Sequence, residues 1–169
     1  MTTINADAAF LVGHGHAICQ DYAFVGTSEQ TCVALLSDGC SGSPDTDIGA
    51  RLLARAAWAQ QPRPTFSVHD MEPWIQRTVD AAQAAANGID LSPLCLDATL
   101  LGVHADEVLW RALVCGDGLV AVGRENGVVD VYAVHFGRNC PAYPAYRLSE
   151  ERRITLNILE GNARTVETL

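Results

Sequence analysis

The sequence predicts an α+β domain in which helices cover an antiparallel sheet. Three features carry that expectation. Short apolar runs near the N-terminus end in acidic and glycine-rich turns. Two amphipathic stretches of helical period then follow in tandem. After them come the β-rich runs DATLLGVH, VLWRALVC, LVAVGR and VVDVYAV, separated by Ala-Asp-Glu, Gly-Asp-Gly and Glu-Asn-Gly turns. A parallel fold would instead alternate strand and helix throughout.

Along the chain, Ala8–Gly13 and Tyr22–Gly26 read as strands, and Thr31–Ser37 is a nearly continuous apolar run closed by Asp38-Gly39, a buried strand that delivers an acidic turn. A helix start follows. Ser43 suits the cap, Pro44 the first helical position, and Asp45 and Asp47 complement the helix dipole. Ile48, Leu52, Ala56 and Ala59 share one face at helical spacing, and Pro62 and Pro64 end the pattern. A second helix is expected from about Asp70 to Asn87, with Met71, Ile75, Val79, Ala82 and Ala86 along its stripe and Gly88 as its stop. From Asp97 the period changes to that of an antiparallel meander. Asn139–Arg147, rich in Pro and Tyr, reads as a loop, and Glu150–Leu159 fits helix or strand. Without a repeat, low-complexity tract or linker, residues 1–169 read as one domain.

Composition narrows the function classes. With 169 residues, 49% hydrophobic and 18% charged, the chain can build one sizeable core and is neither disordered nor collagenous. Its net charge of −9, with arginine and no lysine as the strong bases, argues against non-specific binding to nucleic acid or anionic membrane. No stretch has the apolar length of a membrane span, and MTTINADAAF lacks the basic flank and apolar run of a secretory signal, so the cytoplasm is the expected compartment. Cys19, Cys32, Cys40, Cys95, Cys115 and Cys140 are scattered without CxxC spacing and read as reduced thiols. Cys32, Cys95 and Cys115 lie in or beside apolar runs, where cysteine serves as a small hydrophobe.

The candidate chemistry lies in acidic turns beside strands: Gln20-Asp21, Asp38-Gly39-Cys40-Ser41-Gly42 and Gly116-Asp117-Gly118. Carboxylates that converge at one sheet end suit hard divalent cations, and a glycine beside an aspartate lets its carbonyl approach the metal. Any one Asp-Gly alone is an ordinary turn. In GHGH, His14 and His16 would share one side of a strand, a transition-metal arrangement that lacks an evident third ligand. Cys40 has no arginine downstream in its loop, and Asp45 and Asp47 would disfavour a thiolate, so a cysteine nucleophile is not expected. Asp97 reads as a strand-turn cap, and Trp58, Trp74 and Trp110 as core or interface residues.

In order, HAICQDYA (His16–Ala23), VALLSDGCSG (Val33–Gly42), DATLLGV (Asp97–Val103) and VCGDGLVAV (Val114–Val122) resemble successive motifs of the metal-dependent protein serine/threonine phosphatases of the PP2C type, particularly their bacterial branch. The resemblance covers about residues 10–135. It implies an antiparallel β-sandwich flanked by helices, with two Mg²⁺ or Mn²⁺ ions at one end. By that resemblance Asp38 bridges the metals, the Gly39 carbonyl completes part of one shell, and Asp21 holds a coordinated water or orients a ligand; Asp117 is kept as a candidate metal-site residue beside the reading in which it holds its hairpin loop through backbone hydrogen bonds. His16 stands where the best-known members place a phosphate-holding arginine, and Cys40 where eukaryotic members often carry a histidine. The family also takes aspartates from C-terminal motifs that have no counterpart after Asp130, so the domain is expected to be incomplete, as an N-terminal piece or a shortened homologue. Glu150, Glu151, Glu160 and Glu167 read as solvated charge. The implied substrate is a phosphoprotein and the implied partner a serine/threonine kinase. The competing expectation is a non-catalytic module that keeps the sandwich and binds such a partner without turnover.

Overall fold

The computed structural model describes residues 4–27, 31–61, 71–107, 109–137, 141–160 and 167–168. Strands β1 (Asp21–Thr27), β2 (Thr31–Asp38), β3 (Leu100–Asp106), β4 (Trp110–Cys115) and β7 (Glu167–Thr168) form an antiparallel sheet in the order β1-β2-β3-β4-β7. Strands β5 (Gly118–Gly123) and β6 (Val129–Val134) form a separate two-stranded antiparallel sheet. The meander therefore breaks after β4, and its last hairpin becomes the second layer. A groove of about 350 Å³ runs between the layers, with Leu36, Leu101 and Val103 on one wall and Leu119 and Ala121 on the other.

Helices α1 (Thr46–Ala59) and α2 (Met71–Gly88) cover the opposite face of the large sheet. Side chains alternate along a strand, so Val33 and Leu35 of β2 and Leu113 and Cys115 of β4 turn toward the helices and join their buried residues in one core. The α2 stripe is the expected one: Met71, Ile75, Val79, Ala82 and Ala86 are all buried. Trp74 fixes the helix pair by donating its indole N–H to the Ala57 carbonyl at 3.0 Å, within the last turn of α1 where carbonyls lack helical partners.

Helix α1 differs from expectation in phase and cap. Its buried face is Thr46, Gly49, Ala50, Leu53, Ala54 and Ala57, while Ile48, Leu52 and Ala56 are half-buried and Ala59 is exposed. The helix lies so close to the chain beneath it that small residues must face inward, and the larger aliphatics cover the flanks. Its cap is Asp45, with a left-handed φ of 55° and no side-chain cap bond, and Ser43 instead donates to Asp97 Oδ2 at 2.7 Å. Ala8–Gly13 is not a strand: it does not pair with the edge strand β1, and Leu11 is 84% exposed. An apolar run without a pairing partner has no ladder to join.

The expected loop Asn139–Arg147 runs into the 3-10 turn Pro144–Leu148, and α3 (Glu150–Glu160) resolves the helix-or-strand alternative as helix. Cys32, Cys95 and Cys115 are buried free thiols, as expected of small hydrophobes, and burial pushes the Cys115 thiol up to about 12. Asp70, Pro62, Pro64 and Cys140 lie outside the described residues. No helix among the described residues is long and apolar enough to cross a membrane.

Candidate metal and phosphate site

Asp21 opens β1 and Asp38 closes β2, and the strand register sets them directly opposite each other. Opposed residues of an antiparallel pair project from the same face, where like charges destabilise the pairing. A proton on one of the two carboxyls relieves this. Partial burial, the Asp21 hydrogen bond and charge, and the Asp117 charge together push the Asp38 carboxyl up to about 6.

The Asp38 backbone is clamped by Thr99, the residue before β3. Its N–H donates to Thr99 Oγ1 at 3.0 Å, its carbonyl accepts from Thr99 N–H at 2.9 Å, and Ser37 Oγ donates to the Thr99 carbonyl at 2.7 Å. Gly39 N–H donates to the Gln20 carbonyl at 3.2 Å, which ties the two acidic turns together. Thr46, buried at the start of α1, donates to the Cys40 carbonyl at 3.0 Å and accepts from Gln20 Nε2 at 2.8 Å. Asp117 arrives from the crossing between the two sheets, a turn that needs Gly116 because its φ is +97° and a Cβ there would meet the Thr99 side chain.

These residues line a pocket of about 330 Å³ that holds Asp21, Asp38, Gly39 and Asp117 together with His16. The expected site residues therefore converge. His14 does not line the pocket, and GHGH forms a turn, with His16 N–H donating to the Gly13 carbonyl at 3.1 Å, so the shared strand face expected of the two histidines is not formed.

Other contributors were not singled out by sequence. Asp97, read as a strand-turn cap, is buried and binds Ser43 and Arg152, the latter at 2.8 Å, and its carbonyl accepts from Cys40 N–H at 2.8 Å. Tyr143, only 8% exposed, forms a further wall. Burial first, then the neighbouring Cys40, Tyr146 and Asp117, hold its phenol far above the usual range. The Thr99 clamp sits inside a motif already legible in sequence. The Asp97 and Tyr143 roles depend on distant segments meeting.

The donor set is one that a hard divalent cation suits: crowded carboxylates that repel one another until positive charge arrives. Among the described residues no group of three or more His, Cys, Asp or Glu side chains is assembled to hold a metal ion. The fit is to a cation that takes part of its shell from this acidic pocket and completes it with water, the usual habit of Mg²⁺.

The charge crowding has a consequence for the metal-free protein. Asp38 binds its proton more tightly folded, at about 6, than at its ordinary value of 3.8. Its contribution is thus present below pH ~4 and lost as pH rises through about 6. In EDTA, the melting temperature is expected to fall between pH 5 and pH 7, and Asp38→Asn to flatten that slope, as read by circular dichroism melts.

Residues 13–137 match the family model of protein phosphatase 2C. No curated protein sequence matches the chain. Among solved structures, the chain is similar to a serine/threonine phosphatase of S. agalactiae, with a TM-score of 0.56 and 14% identity over 94% of this chain and 70% of that one. It is also similar to the serine/threonine phosphatase Stp1 from Staphylococcus aureus, with a TM-score of 0.53 and 10% identity over 93% of this chain and 66% of that one. These likenesses are of fold.

Proposed function

The chain belongs to the protein phosphatase 2C family, and from that premise we propose that it hydrolyses phosphoserine and phosphothreonine monoesters in proteins by way of a metal-activated water. The observation that carries this reading is the opposed Asp21–Asp38 pair, with Asp117 close enough to raise the Asp38 pKa, in a pocket large enough for a phosphate. Bound Mg²⁺ or Mn²⁺ would supply Lewis acidity, a water of lowered pKa and positive charge against the phosphoryl oxygens.

Asp38, Asp21, the Gly39 carbonyl and Asp117 are the groups that would hold the cation. His16, on the pocket wall, is the candidate contact to a phosphoryl oxygen. The Thr99 clamp and the Thr46 bridge keep the two acidic turns in register while ligands exchange. Residues 1–169 act as one domain in this reading, working in the cytoplasm on a phosphoprotein, with a serine/threonine kinase as a natural counterpart.

A second reading has an observation in its favour. Since no group of three metal-ligating side chains is assembled among the described residues, the domain also fits a catalytically impaired module that binds a phosphoprotein or kinase without turnover.

One assay separates the two. Hydrolysis of p-nitrophenyl phosphate is expected to require Mn²⁺ or Mg²⁺, to be lost in EDTA and to survive Cys40→Ser, since the thiol is not the nucleophile. The expected rate is well below ~1 s⁻¹. No turnover at any metal concentration favours the binding module, and loss of activity in Cys40→Ser with metal binding intact points to cysteine chemistry.

A further inference from the structure

A phosphate in this pocket meets an unusual shortage of positive charge. Among the described residues no arginine lines the pocket, and the chain has no lysine. Several arginines are committed elsewhere: Arg51 and Arg55 lie over the Tyr22 and Phe24 rings, Arg124 pairs with Asp130, Arg147 with Glu72, and Arg152 with Asp97. Among the described residues of the pocket wall, the groups left to meet phosphoryl oxygens that face away from the carboxylates are neutral donors and His16.

We propose that Tyr143 is a phosphate-binding residue of this site, its phenol O–H donating to a phosphoryl oxygen in a pocket that no described arginine lines. The inference rests on the phosphatase reading above and adds a residue to it. Tyr143 is 8% exposed, yet it forms part of the pocket wall. Its hydroxyl neighbours the Cys40 side chain, which lines the same pocket. A thiol is a weak acceptor, so a phenol whose neighbour is a thiol has much to gain from a charged oxygen. Tyr143 shares the pocket lining with Asp117, Asp38 and Asp21, the carboxylates that would hold the cation.

The ring is also held in place. Tyr143 meets Tyr146 edge-on, with centroids 5.5 Å apart and planes at 74°. Arg152 lies over the other ring at 4.1 Å and reaches Asp97 at 2.8 Å, and Asp97 accepts from Ser43. One continuous set of contacts thus fixes both the phenol and the Cys40–Ser43 turn opposite it. A donor held in advance does not have to be ordered when the ligand arrives.

Calorimetry tests this in two titrations: Mn²⁺ into the metal-free full chain, then inorganic phosphate into the Mn²⁺-loaded chain. Tyr143→Phe keeps the ring and its Tyr146 contact. It is expected to leave Mn²⁺ affinity within about twofold and to weaken phosphate about tenfold, roughly 1.4 kcal/mol. Cys40→Ala removes the thiol and spares the phenol, so phosphate affinity is expected to stay within about threefold of wild type. Equal phosphate affinity in wild type and Tyr143→Phe overturns the inference, as does a tenfold loss in Cys40→Ala, which would assign the donor to the thiol. Loss of Mn²⁺ binding in Tyr143→Phe overturns it too, because the ring would then be supporting the fold. Wild-type protein that binds neither Mn²⁺ nor phosphate instead overturns the phosphatase reading on which the inference stands.

Discussion

Asp38→Asn is expected to weaken Mn²⁺ binding by on the order of 100-fold or more, enough to abolish its heat in a calorimetric titration, because ligand charge sets the affinity of such sites. Asp38 is the best placed of the pocket carboxylates: opposite Asp21 in the strand register, within the field of Asp117, and clamped at its backbone by Thr99. An amide there keeps the shape and both strand hydrogen bonds but gives up the charge. The same change removes the partly buried charge, and with it both the desolvation and the repulsion by Asp21 and Asp117 that raise the Asp38 pKa. A variant that binds no metal yet melts higher than wild type in EDTA at pH 7 is therefore the expected pairing. Unchanged Mn²⁺ heat in Asp38→Asn would mean that the metal sits elsewhere.

Gly49→Ala is expected to destabilise the fold by about 3 kcal/mol or more, measured by urea unfolding. In an isolated helix the same change would stabilise by up to ~1 kcal/mol. Here α1 crosses the 3-10 turn Pro93–Leu96, and a Cβ on Gly49 would collide with the Cys95 carbonyl and crowd Leu96 N. Both partners are backbone, so no side chain can swing aside. The helix would have to lift from the sheet and carry with it Thr46, which bridges Gln20 and Cys40. Weaker Mn²⁺ binding is expected to accompany the lost stability. A Gly49→Ala protein as stable as wild type would contradict the close packing on which this account of α1 depends.

That packing also explains where sequence reading went astray. The period of α2 was legible because its stripe is built from large residues that match the volume they fill, such as Met71, Ile75 and Val79. In α1 the rule inverts: the core face is Gly49, Ala50, Ala54 and Ala57 around Leu53, since little depth is left above the Cys95 carbonyl, and Ile48 and Leu52 cover the flanks. Hydrophobicity alone favours the larger residues and so places the stripe out of phase. The Ala8–Gly13 run failed for a different reason, because a strand requires a partner that composition does not reveal.

The acidic turns were legible for a local reason. Each stands at a strand end, and antiparallel pairing brings such ends together, which is how Asp21 meets Asp38. The supports of the site were not legible. Asp97 gains its role only when Ser43 and Arg152 converge on it, and Tyr143 only when the chain after the second sheet returns to the pocket. Those meetings join residues far apart in sequence and leave no periodic trace.

The proposed function stands on a metal site at the end of the sheet, at the opposed Asp21–Asp38 pair with Asp117 in the same pocket. Paramagnetic broadening tests it most directly, in ¹⁵N-labelled protein titrated with substoichiometric Mn²⁺. The account predicts that amide signals of Gln20, Asp21, Asp38, Gly39, Cys40 and Asp117 vanish first, while those of α2 persist. Broadening centred on His14 or on α3, with the acidic turns unaffected, would contradict it.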